Sequence, residues 1–290
     1  MKTYIPPALE TIAAKAPIGT RADYDALTGL NQTMAKVLLR SPAKYKHVLA
    51  NPPKATAALR EGIMTHACVL QPDLFARYKP EPDVKKNTKE GKAAYEYWKT
   101  TLADTDIPCD CDEYDNALHY ADGLRAIMAA YGIRVHAAEI ALTATYMGVQ
   151  LKGSIDFIGT DGFIYDLKTT REDATPYGFG RELQRNPDFR LQAAWYMLLW
   201  KLVFGESPAG FRLIVVEKEA PFEGAVLSST RSLWPMVASR CSKPSPPTRS
   251  APSSTPGPPT SPRSSRSSRG RNPAKPSPSL SPNLSTHPET

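Results

Sequence analysis

The stretch of sequence that decides the fold is VQLKGSIDFIGTDGFIYDLKTT (149–170). Two runs rich in β-branched, aromatic and aliphatic residues, 149–159 and 163–170, lie on either side of Thr160–Asp161–Gly162. Runs of this composition predict β-strands, and a short Gly-containing segment between them is typical of a hairpin turn. We therefore predict an antiparallel hairpin centred on residue 161.

The sequence on both sides of this hairpin predicts helices and two further strands. Apolar residues that recur with a helical period, begun by polar residues and ended by proline, indicate the helices. Predicted helices span 31–41, about 54–70, 115–130 and 188–204, residues 83–105 form a surface helix or an ordered loop, and predicted strands span 139–146 and 211–218. This order predicts an α/β (α+β) domain with a mixed central sheet flanked by helices.

The positive charge of the chain is concentrated in its last 50 residues. Residues 241–290 contain seven Lys or Arg and one Glu, which is +6 of the total +7 and leaves residues 1–240 at +1. The body of the protein therefore needs a local basic patch or a bound metal for affinity to nucleic acid. The same 50 residues contain 14 Ser and 13 Pro, so we predict a disordered tail that begins at about residue 227.

Cysteine content and hydropathy exclude several classes of protein. The four cysteines, Cys68, Cys109, Cys111 and Cys241, are too few and too scattered for a disulfide framework. No second pair at zinc-site spacing accompanies Cys109 and Cys111, so reduced thiols are the favoured interpretation. The N-terminus shows no signal-peptide pattern, and the apolar stretch near 193–204 is too short to span a bilayer. We expect a soluble, cytoplasmic protein.

The predicted hairpin brings two acidic residues together. Asp156 and Asp166 lie five residues before and after residue 161, which makes them a directly opposed pair with Cβ atoms about 4.5–5.5 Å apart. Carboxylates at that distance repel each other unless a divalent cation bridges them. Lys168 lies two residues beyond Asp166 and therefore on the same face of the strand. A metal that activates water, beside a lysine that stabilises developing charge, is the chemistry of phosphodiester hydrolysis.

Three further sequence features lie outside the hairpin. His66 follows Gly62 by one helical turn, and the missing side chain at the glycine would let a metal or a phosphate approach closely. Gln192 and Tyr196 are spaced i, i+4 on an otherwise apolar helix. Glu139 opens the first predicted strand and is a candidate to add a carboxylate or to orient a ligand. Each feature also has a structural explanation, such as a core histidine, an amphipathic helix edge or a solvated strand end, and D-x-K triplets occur by chance.

Together these residues resemble a known family. GIMTHACVLQP, GSIDFIG, YDLKTT, LQAAWY and VEKEAP occur in the order found in RecE-type exonucleases (exodeoxyribonuclease VIII-like) of the PD-(D/E)xK nuclease superfamily, from phage and prophage recombination systems. SPAKYKH (41–47) and TKEGKAAYEYW (88–98) are similar to the N-terminal part of that family. The resemblance implies a PD-(D/E)xK, restriction-endonuclease-like core over about residues 25–226, preceded by an N-terminal extension of residues 1–24.

The resemblance also implies an activity and its residues. Such enzymes are Mg²⁺-dependent, with Mn²⁺ as a substitute, and degrade linear double-stranded DNA from 5′ to 3′. They leave 3′ single strands for an annealing protein of the RecT type and commonly form homo-oligomeric rings. Lys168 corresponds to the catalytic lysine, and Gln192 and Tyr196 to a Q-x-x-x-Y motif that supports the active site and contacts DNA. The positions that correspond to metal ligands are His66, Asp156, Asp166 and the backbone carbonyl of Leu167.

Two alternative functions stay open. Cas4- or AddB-like nucleases share the order of His, Asp and Asp-x-Lys, but hold an iron–sulfur cluster with four cysteines, typically one before the core and three after it. Here three cysteines precede Asp156 and only Cys241 follows it, which argues against this alternative. The other is a non-catalytic DNA-end-binding recombination accessory protein. The complete set of acids and lysine argues against it, whereas the unusual C-terminal sequence argues for it.

The sequence after VEKEAP departs from the family pattern. It changes abruptly to LSSTRSLWPMVASRCSKPSPP and then to the Ser/Pro/Arg-rich tail. Reading of a GC-rich gene out of frame after about codon 224 is one hypothesis for this change. The hypothesis fails if no alternative frame of the gene encodes an amphipathic, helix-compatible sequence.

Overall fold

The computed structural model of the chain describes residues 4–16 and 21–228. The predicted tail therefore lies outside the described residues from 229 onward, as does most of the sequence to which the out-of-frame hypothesis refers. Within the described ranges, no helix is long and apolar enough to cross a membrane.

Helices and strands alternate in the order that the sequence suggested, with several short elements added. The helices of the described residues are α1 (Leu9–Lys15), α2 (Arg21–Ala26), α3 (Gln32–Arg40), α4 (Pro42–Ala50), α5 (Ala57–Leu70), α6 (Pro72–Phe75), α7 (Lys89–Thr100), α8 (Cys111–Ala130), α9 (Gly178–Arg185) and α10 (Pro187–Phe204). The strands are β1 (Tyr78–Pro80), β2 (Ile107–Cys109), β3 (Val135–Tyr146), β4 (Val149–Gly159), β5 (Phe163–Thr170), β6 (Gly210–Glu217) and β7 (Gly224–Ser228).

The central sheet has five strands in the order β3-β4-β5-β6-β7. All neighbouring pairs are antiparallel except β5 and β6, which are parallel. A parallel pair needs a long crossover connection, and α9 and α10 supply it. A separate pair of short parallel strands, β1 and β2, is connected through α7. The predicted mixed sheet is confirmed.

Helices cover both faces of the sheet. On one face, α10 buries Leu199 and Trp200 against Ile155 and Ile164. On the other face, α8 packs its apolar side on the sheet, and α5 packs against α8. This three-layer arrangement removes both apolar faces of the strands from water. The buried residues of the second cluster are Tyr120, Leu124, Ile127, Phe157, Tyr165, Leu167, Ile214 and Val216.

The β4–β5 hairpin has the predicted register, but only near its turn. Phe157 pairs with Tyr165 and Ile158 with Ile164, which centres the hairpin on residue 161 as expected. Beyond these pairs the strands separate, so the prediction that Asp156 and Asp166 form a directly opposed ladder pair is wrong. The first half of β4 instead exchanges hydrogen bonds with Leu30, whose N–H lies 2.9 Å from the carbonyl oxygen of Gln150. A segment before α3 thus occupies the place where β5 would otherwise continue the ladder.

Most other differences from the predicted elements lie at helix starts. Helix α3 ends at Arg40, as the expected stop at Pro42 requires, but Pro42 also begins the unpredicted helix α4, because proline tolerates the first helical turn and Ser41 caps it. Asp110 caps α8, which therefore begins four residues before the predicted start at 115. Thr56 caps α5 at Ala57 rather than at 54. For residues 83–105 we expected either a surface helix or an ordered loop, and the structure has a helix there, α7.

Candidate active site

The separation of β4 and β5 opens a cleft of about 480 Å³. Helix α5 and helix α10 form its sides, and the first residues of α3 lie at its rim. Because β-strand pairing stops at the cleft, backbone and side-chain polar groups of both strands become available there. Every site residue predicted from the sequence lines this cleft, namely His66, Glu139, Asp156, Asp166, Leu167, Lys168, Gln192 and Tyr196.

One half of the site is built around Asp156. Its Oδ2 accepts a hydrogen bond of 2.7 Å from the Leu167 N–H, a group that has lost its ladder partner where the strands separate. His66 of α5 lies beside this pair, with Nδ1 at 3.5 Å from Asp156 Oδ2 and Nε2 at 3.1 Å from the Leu167 carbonyl oxygen. Three of the four predicted metal ligands therefore form one contact group.

The other half of the site is built around Asp166, which is 1% exposed. Gln192 Nε2 donates a 2.6 Å hydrogen bond to Oδ1, and the Lys168 ammonium contacts Oδ2 as an ion pair. Burial raises the pKa of Asp166 to about 6, with Lys168 lowering it and the nearby Asp156 carboxylate raising it. Burial lowers the pKa of Lys168, but attraction to the two carboxylates outweighs burial and raises it overall. Near neutral pH the site thus contains an ion pair beside a second acid.

Tyr196 lines the cleft but is largely buried. It is 6% exposed and shares a side-chain hydrogen bond with Gln192. Burial raises the pKa of the Tyr196 phenol well above its usual value, so the group stays neutral. Gly153 of β4 makes the close packing feasible, because a Cβ there would stand 2.7 Å from Leu199 Cδ1 and 3.2 Å from Tyr196 Cε1. This position favours a supporting role for Tyr196.

Glu139 lies opposite Asp156 and has an unusual backbone conformation. The pairs Ala138↔Phe157 and Ile140↔Ile155 flank the two residues, and Glu139 has a φ of +51°. Ala138 and Ile140 would share one face in a regular strand, yet they pack in different core clusters on opposite faces. The alternation of side chains therefore changes phase at Glu139. A left-handed conformation in a residue other than glycine costs energy and is often found at functional sites.

The sequence missed the contribution of the N-terminal segment. Tyr24 lines the cleft, although residues 1–30 show few strong patterns in the sequence. Lys152, which is 7% exposed, fixes this segment because its ammonium donates to the carbonyl oxygens of Tyr24 at 3.0 Å and Leu27 at 2.7 Å. A lysine within a predicted strand of the central sheet was the available signal, since a buried ammonium needs acceptors.

The donor groups fit a hard divalent cation. One imidazole, two carboxylates and a backbone carbonyl are ligand types that Mg²⁺ and Mn²⁺ accept. Asp166 Oδ2 is buried and has no hydrogen bond of good geometry from any described residue, so it retains coordination capacity beside its ion pair with Lys168. In their present rotamers, no three His, Cys, Asp or Glu side chains among the described residues surround a common point. His66, Asp156, Asp166 and the Leu167 carbonyl are the groups that would hold such an ion.

Comparisons with known proteins identify the family of the chain. No curated protein matches the sequence. The crystal structure of a provisionally assigned exonuclease from Eubacterium rectale is similar over 82% of this chain and 83% of that chain, with 11% identity and a TM-score of 0.47. A family model matches residues 32–243, which is most of the chain. The chain therefore belongs to the family described as a PDDEXK-like domain of unknown function (DUF3799).

Proposed function

We propose that the protein is a divalent-metal-dependent DNA exonuclease that degrades linear duplex. The observation that carries this proposal is the cleft between β4 and β5, where the Asp156–Leu167–His66 group meets the Asp166–Lys168–Gln192 group. Membership of a PDDEXK-like family supports it, because nucleases of this class generally use divalent metal ions. Mg²⁺ is the proposed ion, with Mn²⁺ as a substitute, since the donors are mostly oxygen.

The residues of the chain divide the chemical work between them. A bound divalent ion would polarise the scissile phosphate and would lower the pKa of the water that attacks it. The Lys168 ammonium forms an ion pair with Asp166. From there it stabilises the negative charge that develops on the phosphate. Gln192 orients the Asp166 carboxylate through a hydrogen bond. Tyr196 in turn orients Gln192 through a side-chain hydrogen bond. The two aspartates keep the site anionic enough to attract the ion.

The finer parts of the proposal rest on the RecE-type resemblance. They are 5′-to-3′ polarity, a 3′ single-stranded product, an annealing partner of the RecT type and a homo-oligomeric ring. What supports them is that the segments quoted for that resemblance contain most of the residues that line the cleft, among them His66, Asp156 and Asp166. A cytoplasmic location is proposed separately, on the interpretation of the cysteines as reduced thiols.

Degradation of end-labelled duplex tests the proposal. Linear and circular duplex of equal sequence are incubated with Mg²⁺, with Mn²⁺ and with EDTA. We expect loss of linear duplex only with metal, persistence of the covalently closed circle, and at least a roughly 1,000-fold slower reaction for Asp166→Asn and for Lys168→Met, since each removes charge from the reacting centre.

Asp122→Asn is the matched control for Asp166→Asn. Asp122 lies on α8 and its side chain is 75% exposed, so the substitution changes charge equally without touching the cleft. Unchanged activity of Asp166→Asn with a wild-type melting temperature would contradict the proposal. Duplex binding without hydrolysis by the wild-type protein would favour the accessory-protein alternative instead. Visible absorbance near 400 nm in purified protein would favour the iron–sulfur alternative.

A further inference from the structure

Residues 26–60 form a strongly basic segment within a nearly neutral body. They contain six Lys or Arg and no Asp or Glu, whereas residues 1–240 together carry +1. An excess of this size attracts polyanions if the side chains lie on one accessible surface. Helices α3 and α4 contain four of the six, which are Lys36, Arg40, Lys44 and Lys46.

Helix α3 runs from the rim of the cleft along the side of α10. Asn31, Gln32 and Thr33 line the cleft at its first turn. Residues 32, 36 and 40 are four apart and share one face of the helix. At the far end of that face, Arg40 forms a 2.7 Å ion pair with Asp188 in the first turn of α10. Lys36, between these two points, must therefore lie close to the junction of α3, α10 and the cleft.

Lys36 is half-buried and has no acid within ion-pair distance among the described residues. Its electrostatic neighbours include Asp188, Asp166 and the cations Lys168 and Arg40. Burial lowers the pKa of Lys36, and Lys168 and Arg40 act in the same direction, whereas Asp188 and Asp166 oppose them without reversing the shift. A partly desolvated ammonium that lacks a direct counter-ion is destabilising in the free protein, and a bound anion would remove that cost.

Helix α4 continues the basic segment beyond α3. Ser41 alone separates α3 from α4 and caps α4 by accepting a hydrogen bond from the Lys44 N–H at 3.3 Å. Lys44 and Lys46 are exposed. Each helix has nine residues and is about 14 Å long, which corresponds to about four nucleotide steps along one strand.

We propose that Lys36, Arg40, Lys44 and Lys46 bind the phosphate backbone of DNA as it enters the cleft; this inference rests on the proposed nuclease function. Lys36 contacts the phosphate nearest the reacting centre, and the exposed cations of α4 contact the duplex farther out. We name these four residues the α3–α4 surface. It contacts phosphates rather than bases, so it holds DNA of any sequence.

Helix α7 is the other lysine-rich surface and serves as the control. Lys86, just before α7, and Lys99 within it are ion-paired with Glu81 and Glu96, as Arg40 is with Asp188, so none of these three cations is replaced in the comparison. The remaining lysines of that region, Lys85, Lys89 and Lys92, are exposed. Replacing them changes net charge as much as replacing three residues of the α3–α4 surface.

The test is binding of a fluorescein-labelled 20-base-pair duplex in EDTA, followed by anisotropy as a function of salt concentration. Lys36→Met/Lys44→Gln/Lys46→Gln is compared with Lys85→Gln/Lys89→Gln/Lys92→Gln. For the first variant we expect at least tenfold weaker binding at 0.1 M salt and a salt slope smaller by about one for each phosphate that is no longer neutralised. For the second we expect binding within twofold of wild type. Lys36→Arg, which keeps the charge, is expected to bind within threefold of wild type.

Equal weakening in both triple variants would overturn the inference, as would wild-type binding in the first. If Lys36→Met prevents folding, the exposed pair Lys44→Gln/Lys46→Gln alone is expected to reduce the salt slope by about two, and an unchanged slope would overturn the inference. The proposed nuclease activity is tested separately by hydrolysis with Mg²⁺. Selective binding loss without any wild-type hydrolysis would remove the proposed function and still support the α3–α4 surface.

Discussion

At the scale of single residues, substitutions of Gly62 can distinguish an effect on helix stability from an effect on substrate access to the cleft. A Cβ at this position would meet no atom within 4 Å, and Gly62 lines the cleft one turn before His66. Gly62→Ala should raise stability by up to about 1 kcal/mol, because alanine is the better helix former, and should keep nuclease activity. Gly62→Leu should keep the fold but lower the rate on duplex at least tenfold, since its side chain would occupy space that a phosphate needs. Thermal melting and duplex degradation measure the two effects.

Equal activity of the Leu and Ala variants would show that substrate does not approach this side of the cleft. Met64→Ala is a useful contrast within the same helix. Met64 is 2% exposed, so the change creates a core cavity and should cost about 2–5 kcal/mol.

The candidate site residues were predictable where chemistry and spacing coincide. Asp156, Asp166 and Lys168 follow from a hairpin whose centre can be read from a turn sequence. The contact between Gln192 and Asp166 could not be predicted from composition, because it depends on how α10 lies across the strands. The φ of Glu139 was equally inaccessible, since neither a glycine nor a turn residue marks that position.

At the scale of elements, a largely buried ion pair connects the helix that carries His66 to the residue that follows strand β6. Lys218 Nζ lies 2.6 Å from Glu61 Oε2, and Asn116 Nδ2 donates to the other carboxylate oxygen at 3.1 Å. The two charged side chains are only 10% and 13% exposed. Lys218→Met should therefore destabilise the protein by about 2–4 kcal/mol, because it leaves Glu61 partly buried without its counter-ion. Urea unfolding measures this loss.

The double variant Glu61→Gln/Lys218→Met should recover part of that stability, since no uncompensated charge remains. Lys99→Met is the exposed counterpart. Its partner Glu96 has a side-chain exposure of 68%, so the loss should stay below about 1 kcal/mol. A similar cost for Lys99→Met and Lys218→Met would contradict a special role for the Glu61 contact.

Strand β5 carries a phenol, Tyr165, close to the β4–β5 turn, and its ionisation should couple to stability. Tyr165 donates a 2.7 Å hydrogen bond to Asp161 Oδ2 and accepts one of 2.8 Å from Arg212. Burial and the bond to Asp161 raise the pKa of Tyr165 to about 12. The raised value means that the folded state holds this proton more tightly than the unfolded chain does. Its contribution is complete below about pH 10 and is lost as pH rises from about 10 to 12.

Tyr165→Phe should lower stability at pH 7 by about 1 kcal/mol, because it removes two hydrogen bonds. The variant should also lose less stability than wild type between pH 10 and pH 11.5, measured by urea unfolding at each pH. Parallel curves for the two proteins across that range would contradict the coupling. Tyr177→Phe, at an exposed position, controls for general alkaline effects.

Long and strongly patterned elements could be predicted, and short ones could not. The bounds 149–159 and 163–170 are those of β4 and β5, because β-branched composition and a glycine turn agree there. Helix α4 was missed because Pro42 was interpreted as a stop, although proline is equally compatible with a first turn. Strands β1 and β2 have three residues each, so no periodicity develops, and only tertiary contacts define them.

At the scale of the whole molecule, charge is divided between a nearly neutral body and a basic C-terminal segment. The family match covers residues 32–243, and residues 245–290 carry six Lys or Arg and one Glu. Because the sequence of this segment contains few large apolar residues, we expect its charges to act on DNA mainly through long-range attraction. Such attraction is independent of sequence and falls steeply with salt.

Removal of residues 245–290 should therefore leave the melting temperature within about 2 °C of wild type, because little buried apolar area would be lost. Duplex affinity in EDTA at 0.05 M salt should fall several-fold, and the salt dependence should become shallower by up to about five units, one for each net charge removed. Replacing the six cations by Gln at constant length should reproduce the binding change. If truncation instead lowers the melting temperature by 10 °C while the Gln variant is stable, residues 245–290 complete the folded domain and the body does not end where its sequence pattern does.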